Sequence, residues 1–226
     1  MRFVEKGTAP ASFDAWKTNI TDEWQPAYRD LRNPEKQQLH EALLAEQGGT
    51  CCYCGRRIDA ENSHIEHFEP QETAPALALE YRNLFASCIR DQVKSVPLHC
   101  GHAKGSLFDR VRSVSPLDAD CEQRFLYRLD GEITVARETD EDAGYMIDLL
   151  KLNVSTLRNR REAALEGVFD SNFLETASVD ELARIRDHFR ARGDDDRFTD
   201  LAHVIVRYTE QWLDTLRSSA DPNESV

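Results

Sequence analysis

The chain has 226 residues, enough for one large domain or two small ones with a buried core. Its 41 acidic and 28 basic residues give a formal net charge of -13, which excludes a protein whose whole surface attracts nucleic acid; contact with DNA or RNA needs a local basic patch or a partner. No run of about 18 apolar residues occurs, which excludes a transmembrane helix, and Met1-Arg2-Phe3-Val4-Glu5-Lys6 is unlike a secretory signal, so a cytoplasmic protein is expected. Six cysteines in such a compartment read as metal ligands, because thiols stay reduced there.

In chain order, residues 1–49 read as an N-terminal helical arm anchored by Trp16, Trp24 and Tyr28. Asn33-Pro34-Glu35 predicts a helix start with Asn33 as N-cap; Leu39, Leu43 and Leu44 repeat at helical spacing until Gly48-Gly49 stops the helix. From residue 50 the composition changes to short apolar pieces split by turns, and residues 51–110 carry seven basic and eight acidic side chains, so most of the acidity lies elsewhere. Alternation over 124–129 and 132–135 around Asp130-Gly131 predicts a β-hairpin with a two-residue turn.

Beyond residue 140 the pattern is helical: about 141–152, 156–175, 179–192 and 196–217. Ser155 is the expected cap of the second helix, Ser178 and Glu181 form a capping box for the third, and Asp194, Asp195 and Asp196 suit the N-terminus of the fourth. Leu182, Ile185 and Phe189, then Leu201, Ile205, Trp212 and Leu216, mark packed faces. The expected fold is α+β and mostly helical, with an arm (1–49), a metal-dependent unit with its hairpin (50–140), a C-terminal helical region (141–218) and a disordered tail (219–226).

The chemistry concentrates between residues 51 and 102. Cys51-x-x-Cys54 has the spacing at which a tight turn brings two thiolates to one zinc ion at about 2.3 Å. Cys88 and Cys100 are the natural candidates to complete a tetrahedron, with His99 able to replace one of them, while Cys52 and Cys121 read as non-ligands. In His64-Ile65-Glu66-His67-Phe68-Glu69-Pro70, strand alternation puts Glu66 on the face of His64, with His67 opposite, although neighbours at a strand end can reach one site. Lys151, Arg158, Arg160 and Arg161 lie in a stretch without acids, a candidate contact for a phosphate backbone.

Glu66-His67 followed by a proline, then Asn83-Leu84, Cys88 and Cys100-Gly101-His102-Ala103-Lys104-Gly105 resembles an HNH endonuclease with its ββα-metal finger. The resemblance implies His67 as general base, Glu66 and His102 as ligands of one catalytic Mg²⁺ or Mn²⁺, and Asn83 as the brace of the loop that orients His67. Lys104 is then either a phosphate contact or a solvated helix residue. Two departures stand out. Glu66 replaces the commoner aspartate, which makes His64 an alternative ligand, and eleven residues separate Cys88 from Cys100, so the segment 89–99 must loop out before the finger helix.

Together with Glu46-Gln47 ahead of the first cysteines and the Leu-Leu-Lys-Leu-Asn153 stretch, these motifs resemble the HNH nucleases of Septu and retron anti-phage systems. That family implies a DNA-cutting effector controlled by an ABC/AAA-type ATPase, in retrons also joined by a reverse transcriptase and its RNA-DNA product. The acidic surface outside the finger suits a nuclease held by a partner. Competing readings are a zinc-stabilised interaction module without catalysis and an RNA-cleaving HNH toxin.

Overall fold

Among the described residues, 1–220, the computed structural model holds eight α-helices and two antiparallel strand pairs. Helix accounts for about 40% of the chain, and the fold is α+β with small sheets of two strands each. Helices α1 (Ala11–Lys17) and α2 (Glu35–Glu46) form the arm, and α2 buries Leu39 and Leu43 beneath the first sheet. Pro34, with no side-chain cap, takes the N-cap position expected of Asn33. The first sheet pairs β1 (Ser63–His67) with β2 (Leu84–Cys88), placing Glu66 opposite Phe85 and His67 opposite Leu84. A one-turn helix, α3 (Gly101–Lys104), follows after the irregular 89–99 segment.

The second sheet pairs β3 (Phe125–Tyr127) with β4 (Ile133–Val135). Its turn is longer than the expected two residues: Arg128 N–H donates to Glu132 O, leaving Leu129, Asp130 and Gly131 as a three-residue loop. Gly131 closes it at φ 73°, a conformation that glycine adopts without a Cβ clash.

Sheets of two strands leave backbone groups without ladder partners, and here side-chain amides supply them. Gln47 exchanges two hydrogen bonds with the backbone of Ala86, at 2.7 and 2.9 Å. Gln211 does the same for Tyr127, at 2.9 and 3.0 Å, and Asn153 for Ile133, at 3.0 and 2.9 Å. Each amide comes from outside the sheet it completes, so the arm and the C-terminal helices are tied to the strands by hydrogen bonds as well as by apolar packing.

The C-terminal region comprises α4 (Glu141–Leu149), α5 (Ser155–Glu166), α6 (Ser171–Thr176), α7 (Val179–Arg190) and α8 (Ala202–Ala220). The single helix expected over 156–175 is two, because the chain turns after Glu166 and Asp170 caps α6 through the Phe173 N–H. Val154 occupies the cap position of α5, and Ser155 is its first helical residue. The capping box of α7 forms as the spacing requires.

Asp194, Asp195 and Asp196 lie in a loop eight to six residues before α8, where Asp195 pairs with Arg57 and Asp196 with Arg192. One long-range pair, Asp195 with Arg57, and one local pair, Asp196 with Arg192, replace the expected role at a helix N-terminus. Helix α8 reaches Ala220, past the expected start of the tail, and residues 221–226 lie outside the described part. One buried cluster joins Phe13 of the arm, Tyr53 and Phe85 of the central unit, and Leu157, Leu182 and Leu213 of the helical region. No helix among the described residues is long and apolar enough to cross a membrane.

Candidate metal and catalytic centre

The turn carrying Cys51 and Cys54 is closed by Cys51 N–H to Arg56 O and Gly55 N–H to Cys51 O, both 2.9 Å. Cys88 ends β2 and Cys100 precedes α3, so the sheet and the one-turn helix bring the remaining two thiols to the same point. The four ligand sulfurs lie within 4.8 Å of one another, and all four residues are buried. Cys54 Sγ and Cys88 Sγ stand 3.8 Å apart, the edge of a tetrahedron with arms of about 2.3 Å.

Burial would raise the Cys51 thiol, but hydrogen bonds from Cys100, Cys52, Cys54 and Cys88 carry it well below its ordinary value; burial pushes Cys100 well above it. A dication at their centre would favour the thiolate form of every ligand at once. The quartet could hold a metal such as zinc. Buried His99 lies 3.2 Å from Cys100 Sγ and 3.6 Å from Cys88 Sγ, as a hydrogen-bond partner of sulfurs that already number four. Cys52 and Cys121 are buried outside the quartet.

Beside this cluster, β1 presents Glu66 and His67. Glu66 Oε1 accepts from Tyr53 Oη at 3.2 Å and from Lys104 Nζ at 3.0 Å, and Oε2 faces His64 Nε2 at 3.3 Å. Burial works to raise the carboxyl, but the His64 imidazole and the Lys104 ammonium outweigh it, so Glu66 lies below the ordinary carboxylate value and is ionised. His67 Nε2 donates to Ala78 O at 3.0 Å, leaving Nδ1 as the lone pair, 3.5 Å from the Gln71 amide. Burial holds this imidazole below its ordinary value, hence neutral at pH 7. Glu66 and His67 share a pocket of about 170 Å³ with Gln71 and Lys104.

Asn83 brackets the intervening loop. Its Oδ1 accepts from Glu69 N–H at 2.8 Å, and its Nδ2 donates to Glu69 O at 3.0 Å and Leu77 O at 3.1 Å. Leu77 precedes Ala78, whose carbonyl holds His67, so one amide fixes both ends of the segment that orients the imidazole.

His64 Nδ1 and His102 Nε2 both donate to Ile89 O, at 2.8 and 2.7 Å. Ile89 has φ 67°, a left-handed conformation that a β-branched residue rarely adopts. His64 Nε2 then turns to Glu66, while His102 Nδ1 meets the Gln92 amide at 3.0 Å. The two rings lie 4.6 Å apart. A Cβ at Gly101 would come within 2.4 Å of Glu66 Oε2 and 2.9 Å of His64 Nε2, so any side chain there would fill the space between carboxylate and imidazole.

Lys104 corrects both expectations for it. It is buried, 1% exposed, and its ammonium donates to His67 O at 2.9 Å and Phe68 O at 3.1 Å as well as pairing with Glu66. It is neither solvated nor free to meet a phosphate. Lys104→Met, which leaves the Glu66 carboxylate buried without its ammonium, is expected to destabilise the protein by about 3–5 kcal/mol in urea unfolding; a loss below about 1 kcal/mol would remove this role.

The basic stretch after Lys151 is also largely committed. Arg161 is buried and donates to Gly131 O and Leu152 O, and Arg158 pairs with Asp130 at 2.7 Å. Three residues at the centre escaped the sequence reading. Tyr28 meets the His67 ring edge-on at 4.4 Å, Tyr53 bonds Glu66, and Ser87 Oγ lies 3.8 Å from Cys51 Sγ and accepts from Gly101 N–H. Tyr53 carried a signal, a large aromatic between two metal-type cysteines. Tyr28 and Ser87 carried none.

A buried cysteine quartet thus stands beside a neutral imidazole and an ionised carboxylate on one short strand. The chain is 27% identical over 138 residues to the "Retron Vc95 putative HNH endonuclease" of Vibrio cholerae serotype O1 biovar El Tor, a match covering 58% of this chain and 65% of that protein. It is 43% identical over 51 residues to the Septu protein PtuB of Bacillus thuringiensis, covering 22% of this chain and 20% of that protein. The chain thus spans less than two thirds of the length of either curated relative. No protein-family model matches it. The two relatives support an HNH endonuclease of the Septu/retron type.

Proposed function

We propose that the chain is a divalent-cation-dependent HNH endonuclease that hydrolyses DNA phosphodiester bonds, the effector of an ATPase-controlled anti-phage system. The observation that carries this reading is the placement of His67: Ala78 O holds one nitrogen, and the other, unprotonated, lies 3.5 Å from the amide of Gln71, which lines one pocket with His67 and Glu66. In this reading β1, β2 and α3 form a ββα-metal finger and the cysteine quartet is its zinc clamp.

His67 Nδ1 takes the proton of the attacking water, and Asn83 keeps that nitrogen aimed by holding the loop. Glu66, with an imidazole of the His64–His102 pair, would hold Mg²⁺ or Mn²⁺. Bound there, the cation supplies stabilisation of the charge that gathers on the scissile phosphate and the leaving oxygen. The space that Gly101 leaves beside Glu66 Oε2 and His64 Nε2 fits such a group. Lys104 keeps the carboxylate ionised and fixes the backbone of His67.

Control by an ABC/AAA-type ATPase, docked on the C-terminal helices, is supported by the likeness to the Septu protein and by a net charge that disfavours unassisted DNA binding. Supercoiled plasmid incubated with the zinc-loaded protein, alone and with the neighbouring ATPase, is expected to be nicked with Mg²⁺ or Mn²⁺ and spared with EDTA. Absence of metal-dependent cleavage in every combination would leave the zinc-stabilised interaction module as the better reading; cleavage of RNA alone would favour the toxin.

A further inference from the structure

The net charge of -13 demands a local basic surface wherever nucleic acid is handled, and the stretch after Lys151 offers less of it than its sequence suggests, because Arg158 and Arg161 are spent on internal contacts and only Lys151 and Arg160 stay exposed. A larger cavity, about 680 Å³, lies between α2 and β1. Tyr28, Lys36 and His40 of the arm, His64 and Ile65 of β1, and Arg90 just past β2 line it. Glu61 is the one acid in its described lining.

The cations there are available. Lys36 forms no ion pair with a described residue and sits 5.5 Å from the centre of the Tyr28 ring. The ion pair that exposed Arg90 makes is to its own neighbour, Asp91, at 3.9 Å. Their fields overlap at His40, which burial holds below its ordinary value, with the charges of His64, Arg90 and Lys36 adding to the effect. The cavity also adjoins the proposed reaction centre: Ile65 lines both cavities, and Tyr28 borders this one while touching His67 at 4.4 Å. Cations clustered in a concave site and held by no more than a long pair to a sequence neighbour raise the local concentration of a polyanion despite an acidic remainder.

We propose that this cavity is the track for the phosphodiester backbone of the DNA strand that leads to His67, with Lys36 and Arg90 as its phosphate contacts. The N-terminal arm is then part of the substrate site, since it supplies Lys36, His40 and the Tyr28 ring that separates track from base. The inference rests on the nuclease reading and adds to it where the strand lies.

Fluorescence anisotropy with a labelled DNA duplex, with Mg²⁺ and Mn²⁺ omitted and no chelator added so that nothing is cut and the zinc stays bound, tests it on the full zinc-loaded chain. Lys36→Ala/Arg90→Ala is expected to weaken binding roughly tenfold and to flatten the dependence of log Kd on log salt by about two, one for each lost phosphate contact. Lys151→Ala/Arg160→Ala removes the same charge from exposed positions on the helical region and is expected to change Kd less than twofold. Equal weakening by both pairs, or no weakening by the first, would overturn the track. So would a wild-type chain that does not bind the duplex at low salt, or tighter binding of an RNA duplex of the same sequence. Metal-dependent, His67-dependent cutting alongside an unaffected Lys36→Ala/Arg90→Ala variant would refute the track and leave the nuclease standing.

Discussion

Cys51→Ser is expected to leave the chain without zinc and with its central unit unfolded. Four sulfurs within 4.8 Å at the meeting of a turn, a strand end and a helix start hold segments separated by as many as 49 positions in the chain. Structural zinc sites contribute about 10–16 kcal/mol of binding free energy, against a net domain stability of about 5–15 kcal/mol, so a zinc ion bound by this quartet would decide whether the region folds. The measurement is zinc per chain by atomic emission together with thermal unfolding: one ion and a cooperative transition in the wild type, no ion and a lost or much lower transition in the variant. Cys121→Ser, equally buried but outside the quartet, is the control and should keep its zinc. A Cys51→Ser protein with one zinc and an unchanged transition would refute the clamp.

The second large effect falls on catalysis alone. His67→Ala is expected to lower the rate of plasmid cleavage by about 10²–10⁴-fold, the contribution typical of a positioned general base. Zinc content should not change, because His67 lies outside the cysteine quartet, and the loop should stay braced, because Asn83 bonds backbone groups rather than the imidazole. The neutral state of His67 follows from burial, and its aim follows from the Ala78 carbonyl, so both properties of a base precede substrate binding. Cleavage at the wild-type rate by His67→Ala would move the base elsewhere, with Glu66→Gln as the next variant to measure.

The difference between these two variants separates what spacing determines from what packing determines. The cysteine quartet could be read in the chain because two residues between Cys51 and Cys54 make a turn, and metal-type residues are rare enough that Cys88 and Cys100 had few rivals. Capping at Ser178 and the hairpin around Asp130-Gly131 were legible for a related reason: the hydrogen bonds that close the cap and the turn span no more than four residues, where backbone geometry leaves little choice. The lengths of local elements were less legible. The break between α5 and α6 comes with the Asp170 cap, and α8 starts at Ala202, later than the apolar spacing alone suggested.

The amino-acid sequence by itself determined the metal-type chemistry, its location between residues 51 and 102, and the α+β mixture around it. Tertiary structure alone decided how the charged groups are used. Lys104, Arg161 and Asp195 look interchangeable with other solvated charges in the chain, yet each is committed to a partner at least 30 residues away, respectively the β1 backbone, Gly131 and Arg57. His64 and His102 both donate to the carbonyl of Ile89, the first through Nδ1 and the second through Nε2, which leaves one imidazole facing Glu66 and the other Gln92. Burial makes an unpaired charge costly, so a fold selects the partners of its ionisable groups through contacts that sequence spacing does not encode.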